Sequence, residues 1–411
     1  MRIKVSRSVH IPVSALQEIT IPFHGYRGVC VVECNTAYGS RTGSGLVQIY
    51  SGIVASDTWG KYFQRRSEDN GRTWLEPEVV FEPYKTEAGL IRWNEGCLFL
   101  DETADRLLHF NNVSLFPEGV LSADVFRYTR TFVRISSDGG RHFSAPINII
   151  QKGYDETNWA EGITYGKNRM YVSFPAPLKI KDGRILLPMS ITPEKGKHQD
   201  MWLIPEKAGC LFGTWKGNDL EWEAGGFVEI SPKISSRGLC EPTFAELPDG
   251  RLLMVMRGSN SGIEQQQPGY RWHSISTNGG YNWSEPSPWT YDNGEKFLSP
   301  ASGSRLIRNS GNGRLYWFGN ICRENSQGNL PRQPVQVAEV DEQKAALKKD
   351  SVAIIDDRGP DDPPDVQLSN FRVYEDRLTH EFLLNLARIG EISAEDITSP
   401  SYQYRIRIPD D

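Results

Sequence analysis

Ser67-Glu-Asp69-Asn-Gly71-Arg-Thr-Trp74, Ser136-Ser-Asp138-Gly-Gly140-Arg-His-Phe143 and Ser276-Thr-Asn278-Gly-Gly280-Tyr-Asn-Trp283 are three copies of one pattern, Ser-x-Asp/Asn-x-Gly-x-x-aromatic. Each has the chemistry of a hairpin turn. The Asp or Asn side chain accepts hydrogen bonds from backbone N–H groups just ahead of it. The Gly takes a backbone conformation that other residues disfavour. The aromatic residue opens the next strand. Strand-like alternation precedes every copy, as in Thr131-Phe-Val-Arg-Ile135, and a proline closes the segment after it, at Pro77, Pro146 and Pro286.

The copies start at 67, 136 and 276, so the offsets are 69 and 140, one and two periods of about 70. A chain of 411 residues holds about six such periods. Units of several short strands repeated at fixed spacing predict radial repetition, a six-bladed β-propeller spanning 1–411. Gly213-Thr-Trp-Lys-Gly-Asn-Asp-Leu-Glu-Trp222 stands near the vacant position at 206 and reads as a decayed copy. Two stacked β domains are the rival layout. A propeller must hide its first and last edges. Arg2-Ile-Lys-Val5 and Tyr402-Gln-Tyr-Arg-Ile-Arg-Ile408 both alternate as strands, and they are expected to meet in one blade and close the ring. Helical pattern is scarce. Glu342 to Lys349 reads as a short helix, and Glu381 to Arg388 is ambiguous.

Composition narrows the function. Hydrophobic residues make up 38% and charged residues 24%, enough for a packed core. A net charge of −6 argues against a nucleic-acid binder or an anionic-membrane binder, since both rest on a basic face. No apolar run approaches the length of a membrane-spanning helix, and no apolar segment follows the charged residues at the start. The expectation is a cytoplasmic protein, or a secreted or periplasmic one if a leader has been removed. The six cysteines, at 30, 34, 97, 210, 240 and 322, match no zinc or redox spacing and read as plain buried thiols. No cofactor and no metal is implied. Asn112-Val-Ser and Asn282-Trp-Ser fit the glycosylation sequon.

The three boxes resemble the Asp-boxes, or BNR repeats, of the sialidase superfamily. The likeness extends to Lys179-Ile-Lys-Asp-Gly-Arg-Ile-Leu-Leu-Pro188 and to Cys240-Glu-Pro-Thr-Phe-Ala-Glu-Leu-Pro-Asp-Gly-Arg-Leu-Leu-Met-Val-Met-Arg257, covering about 57–340. The resemblance implies a sialidase-like propeller whose axis carries an arginine triad, an Asp acid/base, and a Glu that activates a nucleophilic Tyr. Asp57, ten residues before the first box, resembles the acid/base. Glu241 resembles the activating Glu. Arg257 and Arg332 resemble two of the arginines, whose planar guanidinium matches a substrate carboxylate.

Two elements depart from the family pattern. No Arg-Ile-Pro step supplies the first arginine, which leaves Arg27 and Arg41 as candidates. Leu368 stands where the nucleophilic Tyr is expected, with Tyr374, Tyr402 and Tyr404 as substitutes. Without that Tyr, a second carboxylate and a water would be needed, with Asp57 and Glu241 as the pair. The expected activity is therefore glycoside hydrolysis, exo-acting on a sialic- or uronic-acid-containing glycan, but not by an ordinary Tyr-nucleophile sialidase. The alternatives are a polysaccharide lyase, with His24 or His109 as base, and a non-catalytic glycan-binding propeller. Trp93 and Trp159 are candidates for stacking on sugar, and Glu95 and Glu161 are further carboxylates. The acidic run Asp356 to Asp365 reads as a solvated loop, with calcium as a minor alternative.

Overall fold

Six antiparallel sheets of four or five strands follow one another along the chain in the computed structural model, which describes residues 1–16, 28–55, 58–118, 127–173, 175–194, 204–261 and 267–409. Blade 1 runs Cys30–Tyr38, Leu46–Ala55, Thr58–Ser67 and Glu78–Phe81, from the inner to the outer strand. Blade 2 has Gly89–Asp101, Arg106–Phe116, Thr129–Ser136 and Ile147–Asn148, with Tyr84–Thr86 added beside the first. Blade 3 is built on Arg169–Tyr171, Ile185–Thr192, Lys207–Lys216 and Asp219–Val228. Blade 4 is Cys240–Glu246, Leu252–Arg257, Arg271–Ser276 and Ser287–Pro288. Blade 5 is Arg305–Arg308, Leu315–Asn320 and Val335–Asp341, with Ala353–Asp356 on its outer side. Blade 6 is Arg372–Glu375, Phe382–Leu386 and Ser401–Arg407, and its fourth strand is Lys4–Ile11 from the other end of the chain, registered Lys4 to Arg407 and Val9 to Tyr402. The fold is a six-bladed β-propeller.

The core lies between blades. In the second strand of blade 4, Leu252, Met254 and Met256 pack with Leu186 and Phe212 of blade 3. Leu253 and Val255 pack with Leu306, Trp317 and Ala338 of blade 5. Successive side chains of a strand point to opposite faces, so a strand covered on both sides is apolar at every position, as Leu-Leu-Met-Val-Met is.

All three boxes have the same hydrogen bonding. Ser136 Oγ donates to Asp138 Oδ1 at 2.9 Å, Gly140 N donates to Ser136 Oγ at 2.9 Å, and His142 N donates to Asp138 Oδ1 at 3.0 Å. The Ser67 and Ser276 boxes repeat this within about 0.2 Å. Each box also clasps the blade before it. Gln64 Nε2 of blade 1 donates to Gly140 O, Arg184 Nη2 of blade 3 donates to Gly279 O, and Asn70 Nδ2 donates to Asp376 Oδ1 of blade 6. Gly140 sits at φ 79°, and a Cβ there would stand 2.3 Å from Val47 of blade 1.

Two local expectations are corrected. The stretch 213–222 is not a decayed box. Its strands run on to the Lys216–Asp219 pair and turn at Gly217-Asn218, leaving no room for the eight-residue pattern. Glu342 to Lys349 is not a helix. Asp341 Oδ1 accepts from the amides of Gln343 and Lys344, and the chain folds back so that Ala346 and Leu347 pair with Asp341 and Val340. The local turn overrides helix propensity.

Candidate functional site

Strand direction alternates within a blade. The box turns, which join third to fourth strands, therefore lie at the same end as the hairpins joining first to second strands. The starts of inner strands and the ends of second strands lie at the other end. Glu241 begins the inner strand of blade 4, and Arg257 ends its second strand. Both are at the end away from the boxes.

The register between these strands slips between Cys240 and Thr243, a β-bulge that holds Glu241 at φ 50°. A side chain at such a bulge is re-aimed out of the regular alternation, and left-handed backbone at a non-Gly residue is uncommon. Ser190 Oγ of blade 3 accepts the Glu241 amide at 2.9 Å. Glu241 Oε1 is bonded to Arg257 Nη1, and both residues are below 10% exposed. Glu241 Oε2 is buried with no hydrogen-bond partner among the described residues. Burial alone would depress the Arg257 guanidinium, but the Glu241 charge outweighs it and raises the pKa well above the ordinary value.

Arg257 Nη2 also donates to Asn329 Oδ1 at 3.3 Å. Asn329 lies in the loop joining the second and third strands of blade 5, and Arg332 follows three residues later, between Pro331 and Pro334. Arg332 donates from Nε and Nη2 to Ala301 O, at 3.2 and 2.6 Å, and from Nη1 to Gln367 Oε1 at 3.3 Å. Blades 4, 5 and 6 thus contribute Glu241, Arg257, Asn329, Arg332 and Gln367 to one end of the propeller. Asn329 and Gln367 escaped the sequence reading, although each lies within three residues of a position it singled out.

A second acidic centre adjoins the first. Glu206, 3% exposed, accepts from Tyr171 Oη at 2.9 Å and Thr192 Oγ1 at 2.7 Å, with Arg237 and Arg169 guanidinium nitrogens at 3.8 and 3.9 Å. Burial opposes its charge, but the two arginines and its donors lower its pKa on balance. Burial pushes the Tyr171 hydroxyl far up, and Glu206, Cys240 and Glu241 add to that. Tyr171 is thus a tyrosine in the field of Glu241, on blade 3 and not on blade 6.

Other candidates are elsewhere. Arg41 is exposed in the first hairpin of blade 1, at the box end, and its amide donates to Asp105. It stands at the opposite end of the propeller from Arg257 and Arg332, so it does not complete their group. Trp159 is 2% exposed in the core between blades 2 and 3, beside Phe110 and Trp222, and presents no face to a sugar. Trp93 stacks on Phe81 at 3.8 Å. His109 is 2% exposed, and burial, then Arg134, push its pKa well below the usual range, so it is a core imidazole. Glu161 is exposed in the connection before blade 3, and Glu95 is half-buried at a bulge on the inner strand of blade 2.

Leu368 is fully buried in the core between blades 5 and 6. Tyr402 and Tyr404 donate to Glu391 and Asp356, and Tyr374 lines a cavity on the axis. Asp356 and Asp362 of the acidic run are both bonded to Arg388. Among the described residues no cluster of three or more His, Cys, Asp or Glu is arranged to hold a metal ion. Asp57, His24 and Arg27 lie outside the described residues.

The model of the BNR repeat-like domain matches residues 39–350, about three quarters of the chain, and the chain belongs to that family. It is a sialidase-like BNR propeller. Solved structures agree on the fold. A protein of unknown function from Dyadobacter fermentans aligns with a TM-score of 0.62 at 14% identity, over 94% of this chain and 100% of that one. The Trypanosoma rangeli sialidase bound to the inhibitor DANA aligns with a TM-score of 0.64 at 11% identity, over 98% of this chain but 59% of that one. A Hadza microbial sialidase gives 0.57 at 14%, over 92% and 65%. The chain thus spans about three fifths of the sialidases' length. No curated protein matches it at a significant level.

Proposed function

We infer that the protein acts on a carbohydrate bearing an acid group, bound at the end of the propeller away from the boxes, and that it hydrolyses a glycosidic bond without a tyrosine nucleophile. The observation that carries the reading is the Glu241–Arg257 pair. It is a buried carboxylate at a bulge, with one oxygen on a guanidinium and the other without a hydrogen-bond partner among the described residues. Such a carboxylate keeps one oxygen unbonded, with the lone pairs to accept a proton from a water or sugar hydroxyl that reaches it. Arg332 and the Nη2 side of Arg257 supply planar donors for the substrate acid group. Asp57, outside the described residues, is the proposed acid that protonates the leaving oxygen. With Leu368 in the core, a water takes the place of a covalent nucleophile, and the two carboxylates then need a separation of roughly 6.5–9.5 Å.

The test is a product assay on acidic glycans and aryl glycosides, following both released sugar and ultraviolet absorbance. Release of a saturated acidic sugar is expected, with a loss of about 100-fold or more in Glu241→Gln and no loss of fold. Full activity in that variant would sink the assignment. The complete burial of Leu368, and the pairing of Glu241 with Arg257, favour one second reading, glycan binding without turnover. Saturable binding of an acidic glycan with no product would establish it. An unsaturated product would indicate a lyase instead.

A further inference from the structure

A cavity of about 40 Å³ lies on the propeller axis, and none of the residues gathered around Glu241 lines it. It is lined by the inner strands of four blades, through Asn35, Cys97, Arg305, Arg372 and Tyr374, and by Ala176 of blade 3. None of its described lining residues is a carboxylate. Arg305 begins the inner strand of blade 5 and donates one hydrogen bond, from Nη1 to Ala176 O at 2.6 Å. Among the described residues its other guanidinium nitrogens meet no acceptor, and no carboxylate pairs with it. Arg372 enters the same cavity and donates from Nε to Asn35 Oδ1 at 3.0 Å. Arg305 differs in this from Arg257, Arg388 and Arg405, each of which faces a carboxylate at close range. Burial without a countercharge pulls its pKa down to about 10, which still leaves it a cation at neutral pH.

Arg305 is half-buried, and a cation drawn partly out of water without a countercharge is stabilised when an anion accompanies it. Tyr374 Oη, Asn35 and Thr36 add polar groups to the wall, and Leu98, Phe371 and Val373 add apolar ones. We propose that the axial cavity binds a small monovalent anion of halide or carboxylate type, held by Arg305 with Arg372 beside it. The ion lies inside the ring where the inner strands converge, so its binding stabilises the closed propeller. It takes no part in the chemistry proposed at Glu241.

The test uses the full chain and two salts at equal ionic strength, sodium bromide and sodium gluconate, the latter too bulky for the space shared with the side chains. The thermal midpoint is expected to rise with bromide, by roughly 1–3 °C at saturation, following a hyperbolic dependence. In crystals soaked in bromide, an anomalous peak is expected within about 4 Å of the Arg305 guanidinium, in the range of a charge-assisted contact. Arg305→Met should abolish both. If that variant does not fold, the two wild-type measurements still decide. Equal midpoints in the two salts, or no bromide peak in the cavity, would overturn the proposal. A peak without a saturable shift would mark an adventitious ion only and would overturn it as well.

Discussion

The two ends of this propeller are made from the same strands, but their polar groups are paired in opposite ways. At the box end, Ser67, Ser136 and Ser276 each donate to the acidic or amide side chain two residues on and accept from the glycine four residues on. The pattern is local and repeats three times, and it needs nothing from outside the chain. At the other end, each contact occurs once: Glu241 meets Arg257 within blade 4, Arg257 reaches Asn329 of blade 5 and Arg332 reaches Gln367 of blade 6, and Glu241 Oε2 is left over. A repeated arrangement serves the ring. A singular one, with a buried carboxylate oxygen left over at Glu241, is where a ligand would add hydrogen bonds.

The largest expected effect comes from breaking the singular end. Arg257→Met removes the partner of a carboxylate that is itself buried, and should cost about 3–5 kcal/mol, because an uncompensated buried charge is left behind. Adding Glu241→Leu should recover most of that loss, since replacing both members of a buried pair is often neutral. Denaturant midpoints of the single and double variants check this. A double variant no better than Arg257→Met would show that the pair organises more than itself.

Next come the box glycines. Gly140→Ala places a side chain at φ 79°, 2.3 Å from Val47, and should cost about 1–3 kcal/mol. Gly71→Ala has the same backbone sign but meets its nearest atom, on Leu46, at 3.3 Å, and should cost less. Thermal melts of the two variants side by side test whether inter-blade contact or backbone alone sets the penalty.

The boxes were legible in the sequence because their chemistry is local. The same Ser, Asp or Asn, and Gly recur at fixed offsets, and their spacing sets the blade count. Glu241 and Arg257 were legible one by one, through the family resemblance, and the hairpin of 16 residues between them is what brings them together at one end. Arg41 misled because a basic residue near the start of a blade can belong to either end, and the hairpin between residues 38 and 46 takes it to the box end. Trp159 misled because alternation around a Trp does not tell a cleft wall from an inter-blade core. Tyr171 and Glu206, 35 residues apart on separate segments of blade 3, carry no local signature. A run of helix formers is not decisive either. Around Ala345 and Ala346, the single carboxylate of Asp341 caps two amides and turns the chain back.

Ser136→Ala and Ser276→Ala come next in size. Each removes the hydroxyl that donates to one side chain and accepts one amide, so each should cost about 1–2 kcal/mol. Because the two boxes have matching geometry, the losses should agree within about 0.5 kcal/mol. Chemical denaturation of both variants decides whether the repeats are equal in energy as well as in shape.

The smallest effect separates the boxes by charge. Three donors around Asp69, chiefly the Thr73 amide and hydroxyl and then Ser67, bring its pKa to about 2. At Asp138 a slight burial pushes upward, but the His142 amide and ring and Ser136 outweigh it and bring the pKa to about 2 as well. Asn278 makes the same bonds and does not titrate. A carboxyl whose folded pKa is depressed contributes stability above its ordinary pKa and loses it as pH falls through the folded value. The advantage of wild type over Asp69→Asn/Asp138→Asn should therefore be constant above about pH 5 and shrink from about pH 4 toward pH 2. Thermal midpoints of both proteins between about pH 6 and pH 3 measure it. These aspartates are at the surface, so added salt should narrow the gap. A gap that stays constant over that whole range would mean that the carboxylates act in the boxes only as hydrogen-bond acceptors, as Asn278 does.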